Sequence, residues 1–117
     1  MNLRKVQELL DAKVLVGEEF LDRPVKTCCG SDLMSDVLAF TKLNTLLCTG
    51  LTNMQVIRTA DMTDLCAVVF VRGKSPDAEI LEEAAENQIP IMVTKHTLFE
   101  ACGILYKAGI YGCSKGE

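Results

Sequence analysis

Residues 45–74 constrain the fold more than any other part of the sequence. They read TLLCTGLTNMQVIRTADMTDLCAVVFVRGK, which is an apolar run, a Thr-Gly turn, a helix-forming segment, a second apolar run and a basic turn with glycine. A short apolar run between turn residues indicates a buried strand, and the segment between the two runs has the spacing of an amphipathic helix. The stretch therefore predicts one β-α-β unit. In open α/β sheets, ligands bind outside the carboxyl ends of the strands, so these turns are where we expect function.

The same alternation of strands and helices continues along the whole chain. We expect helices at 3–12, 32–41, 53–62, 76–87 and 98–108, and strands at 14–16, 25–29, 45–48, 66–71 and 91–93. In the second helix, we expect Leu33, Val37 and Phe40 to lie on one face, with Met34, Leu38 and Thr41 beside them. Short turns between alternating elements predict an α/β fold with a mostly parallel sheet of about five strands and helices on both faces. We expect a single domain over residues 1–117, with a loose tail at 112–117.

The turn residues also predict where helices begin. Thr52 with Gln55 and Thr97 with Glu100 both have the spacing of a capping box, in which each side chain bonds the other residue's backbone N–H. We place Pro76, which follows a serine, at the first position of its helix. Proline is tolerated there because the N–H group that it lacks would have no partner within the helix.

Composition excludes several classes of protein. The net charge of −4 over 117 residues argues against a chain built to bind nucleic acid. No apolar run approaches the roughly 20 residues that a membrane-spanning helix needs. Residues 1–10 have an amphipathic helical pattern without the apolar centre of a signal peptide. We therefore expect a cytoplasmic protein with no nucleic-acid partner and no membrane partner.

Six cysteines are many for a chain of this length, and none is part of a C-x-x-C motif. They are Cys28, Cys29, Cys48, Cys66, Cys102 and Cys113. Without a secretory signal, we expect the thiols to be reduced. Their spacing along the sequence argues against a metal site, and we interpret them as small apolar side chains of the core.

The turns that follow four of the strands have a common chemistry. Three contain a glycine that permits a tight turn, and all four carry residues that can cap the next helix. Because parallel strands end at one edge of the sheet, we expect the turns to meet there. The candidate ligand-binding residues are Ser31, Thr49, Gly50, Thr52, Asn53, Arg72, Gly73, Thr94, Lys95 and His96. Helix N-termini and basic side chains favour an anion such as a phosphate group. The alternative is that the hydroxyl groups only cap helices and the basic side chains are only solvated.

The sequence lacks the motifs of an enzyme. It has neither G-x-G-x-x-G nor G-x-x-x-x-G-K-[ST], so neither type of nucleotide loop is present. Asp32 and Asp36 are interpreted as partners of a helix dipole. The single histidine, His96, has no acid–base partner in its motif. We therefore predict no catalytic residue, no metal ion and no cofactor.

Five motifs together resemble the stand-alone DRTGG domain proteins over nearly the whole chain. They are SDVLAF at 35–40, TGLTN at 49–53, QVIRTA at 55–60, VFVRG at 69–73 and FEACGILY at 99–106. The resemblance implies a fold like the N-terminal domain of HPr kinase/phosphorylase. It also implies a role like that of the DRTGG domains found beside CBS domains in regulatory inorganic pyrophosphatases, or fused to phosphotransacetylase-type enzymes. The chain departs from the family name, since Leu51-Thr52 stands where Asp-Arg is expected.

Two classes of function follow. The first is a non-catalytic regulatory module that senses a nucleotide or another phosphate-containing anion, forms a homodimer, or does both, and acts on a partner enzyme. The second is an accessory subunit of a redox or energy-metabolism complex, for which the number of cysteines is the hint.

Overall fold

The computed structural model describes residues 1–113, which form five helices, five strands and one short 3-10 turn. The elements in chain order are α1 (Leu3–Leu10), β1 (Lys13–Val16), the 3-10 turn (Glu18–Phe20), β2 (Thr27–Gly30), α2 (Met34–Phe40), β3 (Thr45–Thr49), α3 (Met54–Thr63), β4 (Ala67–Phe70), α4 (Ala78–Glu86), β5 (Ile91–Val93) and α5 (Leu98–Lys107). Among these residues, no helix is long and apolar enough to cross a bilayer.

The five strands form a single sheet in the order β1-β5-β4-β3-β2. Strands β2 to β5 run parallel, and β1 pairs antiparallel with β5 at one edge. The predicted α/β class and the mostly parallel sheet are therefore confirmed. Because β2, β3, β4 and β5 follow each other across the sheet in one direction, their right-handed crossovers place α2, α3 and α4 on the same face.

Helices cover both faces of the sheet, as the sequence predicts. In β3, Leu46 and Cys48 pack with α1 and α5, whereas Leu47 packs with α2, α3 and α4. This alternation is the two-residue period of a strand. All five residues of β3 are buried, as expected for a parallel strand in the middle of a sheet.

The buried face of α2 differs from the prediction. The helix buries Met34 and Val37, while Leu33 and Phe40 are 58% and 54% exposed. The Ser31 hydroxyl accepts a hydrogen bond from the Leu33 N–H at 3.0 Å, which keeps the residues before Met34 in a turn. The helix consequently begins later than predicted, and a different stripe of apolar residues faces the core.

One of the two predicted capping boxes is present. The Thr97 hydroxyl accepts from the Glu100 N–H at 3.2 Å, and the Glu100 carboxylate accepts from the Thr97 N–H at 3.1 Å. The Thr52 and Gln55 box is wrong, because Asn53 occupies the N-cap of α3 and no side chain caps that helix.

The start of α4 and the tail also differ from expectation. Asp77 caps α4 by accepting from the Ile80 N–H at 3.2 Å, so Pro76 lies before the helix and is buried. Of the tail predicted to be loose from 112, Cys113 is buried and its Sγ lies 3.5 Å from the Thr27 hydroxyl. Residues 114–117 lie outside the described part of the chain.

Candidate functional site

The turns after β2 and β3 are joined through Asp32. Its carboxylate oxygen Oδ1 accepts hydrogen bonds from the Gly50 N–H at 2.7 Å and from the Thr49 hydroxyl at 2.9 Å. The Ser31 N–H also donates to the Cys48 carbonyl at 3.1 Å. The sequence assigned Asp32 to the first turn of a helix and therefore missed this contact. Asp32 is the principal addition that the structure makes to the predicted site.

The turns after β3 and β4 meet where Arg72 lies against Gly50. A Cβ atom placed on Gly50 would come within 2.9 Å of Nη2 of Arg72 and 3.6 Å of its central carbon. Contacts under 3.0 Å are almost never seen for real Cβ atoms. Glycine at position 50 is therefore what allows the guanidinium group to approach the backbone.

The turns after β4 and β5 are joined by backbone hydrogen bonds. The Arg72 N–H donates to the His96 carbonyl at 2.8 Å, and the Gly73 N–H donates to the Thr94 carbonyl at 2.8 Å. Arg72 has a φ of 59°, in the left-handed region, which costs a residue other than glycine roughly 1 kcal/mol. These bonds hold the Arg72 backbone in that conformation and so fix where its side chain starts.

The four turns thus form one connected surface at the carboxyl edge of the sheet. We call it the turn surface, and it consists of Ser31, Asp32, Gly50, Thr52, Asn53, Arg72, Gly73, Lys95 and His96. Two predicted site residues do not reach it. Thr49 is fully buried and donates to Asp32, and Thr94 is 1% exposed and donates to the Leu10 carbonyl at 2.7 Å.

Charges of both signs occur at the turn surface. Arg72 and Lys95 are exposed. Asp32, whose carboxylate accepts from the Gly50 N–H, is also exposed. His96 is partly buried, with Nδ1 lying 3.7 Å from a carboxylate oxygen of Glu100. The Thr97 N–H, which hydrogen bonds to Glu100, lowers the pKa of that carboxyl group below its usual value. Since Asp32 already accepts from the Gly50 N–H, an anion here would rely on the basic side chains and on the uncapped start of α3.

A cleft of about 240 Å³ lies at the opposite, amino edge of the sheet. Its lining includes Arg23, Asn44, Asp61, Asp64 and Gln88. None of the predicted site residues is part of this cleft. A ligand at the turn surface would therefore lie on an exposed platform, whereas the amino edge offers a recess with carboxylate groups on its wall.

Three cysteines that are far apart in the sequence meet between the sheet and α5. The Sγ atoms of Cys28, Cys48 and Cys102 all lie within 4.8 Å of one another, and those of Cys28 and Cys48 are 3.7 Å apart. Spacing along the sequence gave no sign of this cluster, because its members come from β2, β3 and α5.

Comparison with known protein families identifies the chain. Residues 5–108 match the DRTGG domain. The chain belongs to the DRTGG domain family. The resemblance drawn from the five sequence motifs is thereby confirmed, while the relation to the N-terminal domain of HPr kinase/phosphorylase stays a prediction.

A solved structure supports the fold of this DRTGG domain. It is the crystal structure of the CBS and DRTGG domains of the regulatory region of Clostridium perfringens pyrophosphatase, complexed with the activator diadenosine tetraphosphate. The two align with a TM-score of 0.69 and 18% sequence identity, over 88% of this chain and 45% of the pyrophosphatase chain. The chain thus spans less than half of that regulatory region. No curated protein matches the chain significantly.

Proposed function

We propose that this DRTGG domain is a non-catalytic regulatory module that binds a phosphate-containing anion at the turn surface and acts on a partner enzyme. The observation that carries the proposal is the position of Arg72, whose backbone is fixed by two hydrogen bonds and whose guanidinium group lies against Gly50.

Arg72 is suited to this role because, among residues 1–113, its guanidinium group takes part in no ion pair. A guanidinium group offers donors in a planar fork that matches two oxygens of a phosphate group. The exposed Lys95 and the N-terminal end of α3 add positive potential on the same surface. The similar pyrophosphatase region was crystallised with diadenosine tetraphosphate, which belongs to the class of ligand proposed here.

The absence of catalysis is inferred from the side chains at the turn surface. The buried hydroxyl group of Thr49 donates to Asp32, and His96 has the Glu100 carboxylate as its charged neighbour. Because Thr49 is fully buried, the turn surface presents, within the described residues, no exposed nucleophile that is hydrogen bonded to a base. We therefore infer that the domain transmits a binding event rather than converting a substrate.

The binding experiment uses the whole chain and titrates it with diadenosine tetraphosphate, ATP and pyrophosphate in separate calorimetric series. We expect Arg72→Ala to weaken binding by roughly 1.5–3 kcal/mol, the value of a hydrogen bond to a charged group. Arg72→Lys should restore little, because an ammonium group cannot pair with two oxygens at once. The control is Arg4→Ala, which removes the same charge from an exposed position in α1.

Two results would contradict this proposal. The first is equal affinity in the native chain and Arg72→Ala. The second is chemical-shift changes on titration that map to Asn44, Asp61 and Gln88 at the amino-edge cleft instead of the turn surface.

We also propose a homodimer, formed through the segment 33–43 beside the edge strand β2. In this segment Leu33, Leu38, Phe40 and Leu43 are between 46% and 72% exposed. Association would remove these apolar side chains from water. Sedimentation should therefore give a dimer for the native chain and a monomer for Phe40→Glu. Met62→Glu is the control, since Met62 is 73% exposed on a different helix, and a monomeric native chain would contradict the proposal.

The accessory-subunit hypothesis is kept as a second candidate, because three thiol groups meet in one place. Stable co-purification with a redox enzyme, lost in Cys102→Ser, would favour this function over ligand sensing. Association with a partner that depends on Arg72 instead would favour the first proposal.

A further inference from the structure

The register of the sheet brings two of the clustered cysteines together. Gly30 of β2 is paired with Cys48 of β3, so Cys28 lies two residues back on the same face. Both side chains pack with the core between the sheet and the α1 and α5 helices. Their Sγ atoms are 3.7 Å apart, which leaves room for an atom to be bound by both but is longer than a disulfide bond.

The third sulfur comes from α5 and reaches the sheet over a glycine. A Cβ atom on Gly30 would lie 2.5 Å from Sγ of Cys102, so any other residue there would push the thiol away. Gly30 does not have a positive φ, and its small size is therefore what the packing requires. The absence of a side chain at Gly30 thus creates the space in which the three sulfur atoms converge.

We propose that Cys28, Cys48 and Cys102 form a binding site for one thiophilic metal ion, Zn²⁺ or Cu(I). Thiolate sulfur is the ligand that selects these ions. A Zn–S distance of about 2.3 Å corresponds to sulfur atoms about 3.8–4.0 Å apart. The observed separations, from 3.7 Å up to at most 4.8 Å, need only a small adjustment of side chains to reach that geometry. Three protein ligands leave one coordination position open.

The proposed coordination has a consequence for pH dependence. Metal ions bind the thiolate form of cysteine, so coordination releases thiol protons to solvent and metal affinity rises with pH.

The other cysteines provide matched controls. Cys29 faces the opposite side of the sheet, with α2, α3 and α4. Cys66 is buried, and its Sγ donates to the Thr45 carbonyl at 3.2 Å. Neither belongs to the three-sulfur group. The site lies between the sheet and α5, so the proposal does not depend on the ligand proposed for the turn surface.

The test uses the full chain, reduced and stripped of metal under anaerobic conditions. It is titrated with Zn²⁺ and with Cu(I), each in competition with a coloured chelator of that ion. We expect one ion per chain for at least one metal, and the two series identify which. Affinity should fall at least about tenfold in Cys102→Ser and in Cys28→Ser, because even the loss of an outer-sphere partner costs that much. It should be unchanged in Cys29→Ser and Cys66→Ser.

Cys102 is partly exposed on a helix, so Cys102→Ser is expected to fold, and circular dichroism verifies this. The proposal would be overturned if the chain competed with neither chelator for its metal ion. It would also be overturned by one ion per chain bound equally well by folded Cys102→Ser and folded Cys28→Ser, or by binding that is lost equally in Cys29→Ser.

Discussion

The carboxylate of Asp32 accepts a hydrogen bond from the backbone N–H of Gly50 at 2.7 Å, which joins the turns after the two strands β2 and β3. The same oxygen accepts from the Thr49 hydroxyl, whose residue is fully buried. The hydrogen bonds of Asp32 therefore hold these two turns of the turn surface together without a bound ligand.

Replacing Asp32 by alanine should destabilise the domain. Two hydrogen bonds to a charged group are lost, but Asp32 is exposed, so we expect the free energy of unfolding to fall by about 1–2 kcal/mol. Urea denaturation monitored by circular dichroism measures this change. Asp36→Ala is the control and should cost less than about 1 kcal/mol, because it removes only a charge near the start of α2. Equal losses in the two variants would mean that the Asp32 contacts contribute nothing specific.

Replacing Gly50 by alanine should affect ligand binding more than stability. The new methyl group would displace the guanidinium of Arg72, which is the far end of a flexible and exposed side chain. Gly50 does not have a positive φ, so alanine is compatible with the backbone. We expect the free energy of unfolding to change by less than about 1 kcal/mol, and we expect calorimetry to show a lower affinity for diadenosine tetraphosphate. Native affinity in this variant would show that the contact between Arg72 and Gly50 is irrelevant to binding.

The left-handed backbone at position 72 can be tested with a pair of variants. Arg72→Gly should be more stable than Arg72→Ala by about 1 kcal/mol, because only glycine adopts this region without a steric penalty. Both variants remove the guanidinium group, so the difference isolates the backbone. The same pair at Lys74, which does not have a positive φ, should show alanine as the more stable residue. Thermal unfolding of the four proteins measures both differences.

Among Cys29, Cys66 and Cys102, we expect Cys102 to react first with iodoacetamide at pH 7 in the metal-free protein. Thiolate is the nucleophile, and hydrogen bonds from Cys28 and Cys48 lower the pKa of Cys102. Burial raises the pKa of Cys29 to about 11 and that of Cys66 to about 12, so these thiols stay protonated at neutral pH. Mass mapping of peptides over time gives the order, with the urea-unfolded chain as reference. Faster labelling of Cys66 than of Cys102 in the folded protein would refute this.

Local patterns in the sequence were sufficient for most of the fold. The strands lie where apolar runs are flanked by turn residues, and the Thr97–Glu100 box marks the start of α5. The error in α2 arose because apolar residues occur on two adjacent stripes, and the turn formed by Ser31 decides between them. Periodicity alone does not contain that information.

The site was harder to predict because its contacts join residues far apart in the chain. Asp32 accepts from Gly50, which follows it by 18 residues, and Thr94 donates to Leu10 across 84 residues. The Cys28 and Cys48 pair depends on the register of β2 against β3, which no local pattern specifies. Residue type and turn chemistry indicated that these turns meet at one edge of the sheet, but not which hydroxyl groups form hydrogen bonds within the protein itself.

The antiparallel pairing of β1 with β5 has a consequence for how the chain folds. The apolar residues Leu3, Val6 and Leu10 of α1 pack in one cluster with Ala101 and Leu105 of α5. The α1 segment is therefore synthesised well before α5, and its apolar surface stays partly uncovered until α5 packs against it. Contacts of such long sequence separation slow folding. We infer that the parallel strands β2 to β4 form first and that the N-terminus docks last, an order that pulsed hydrogen exchange would reveal as late protection of α1.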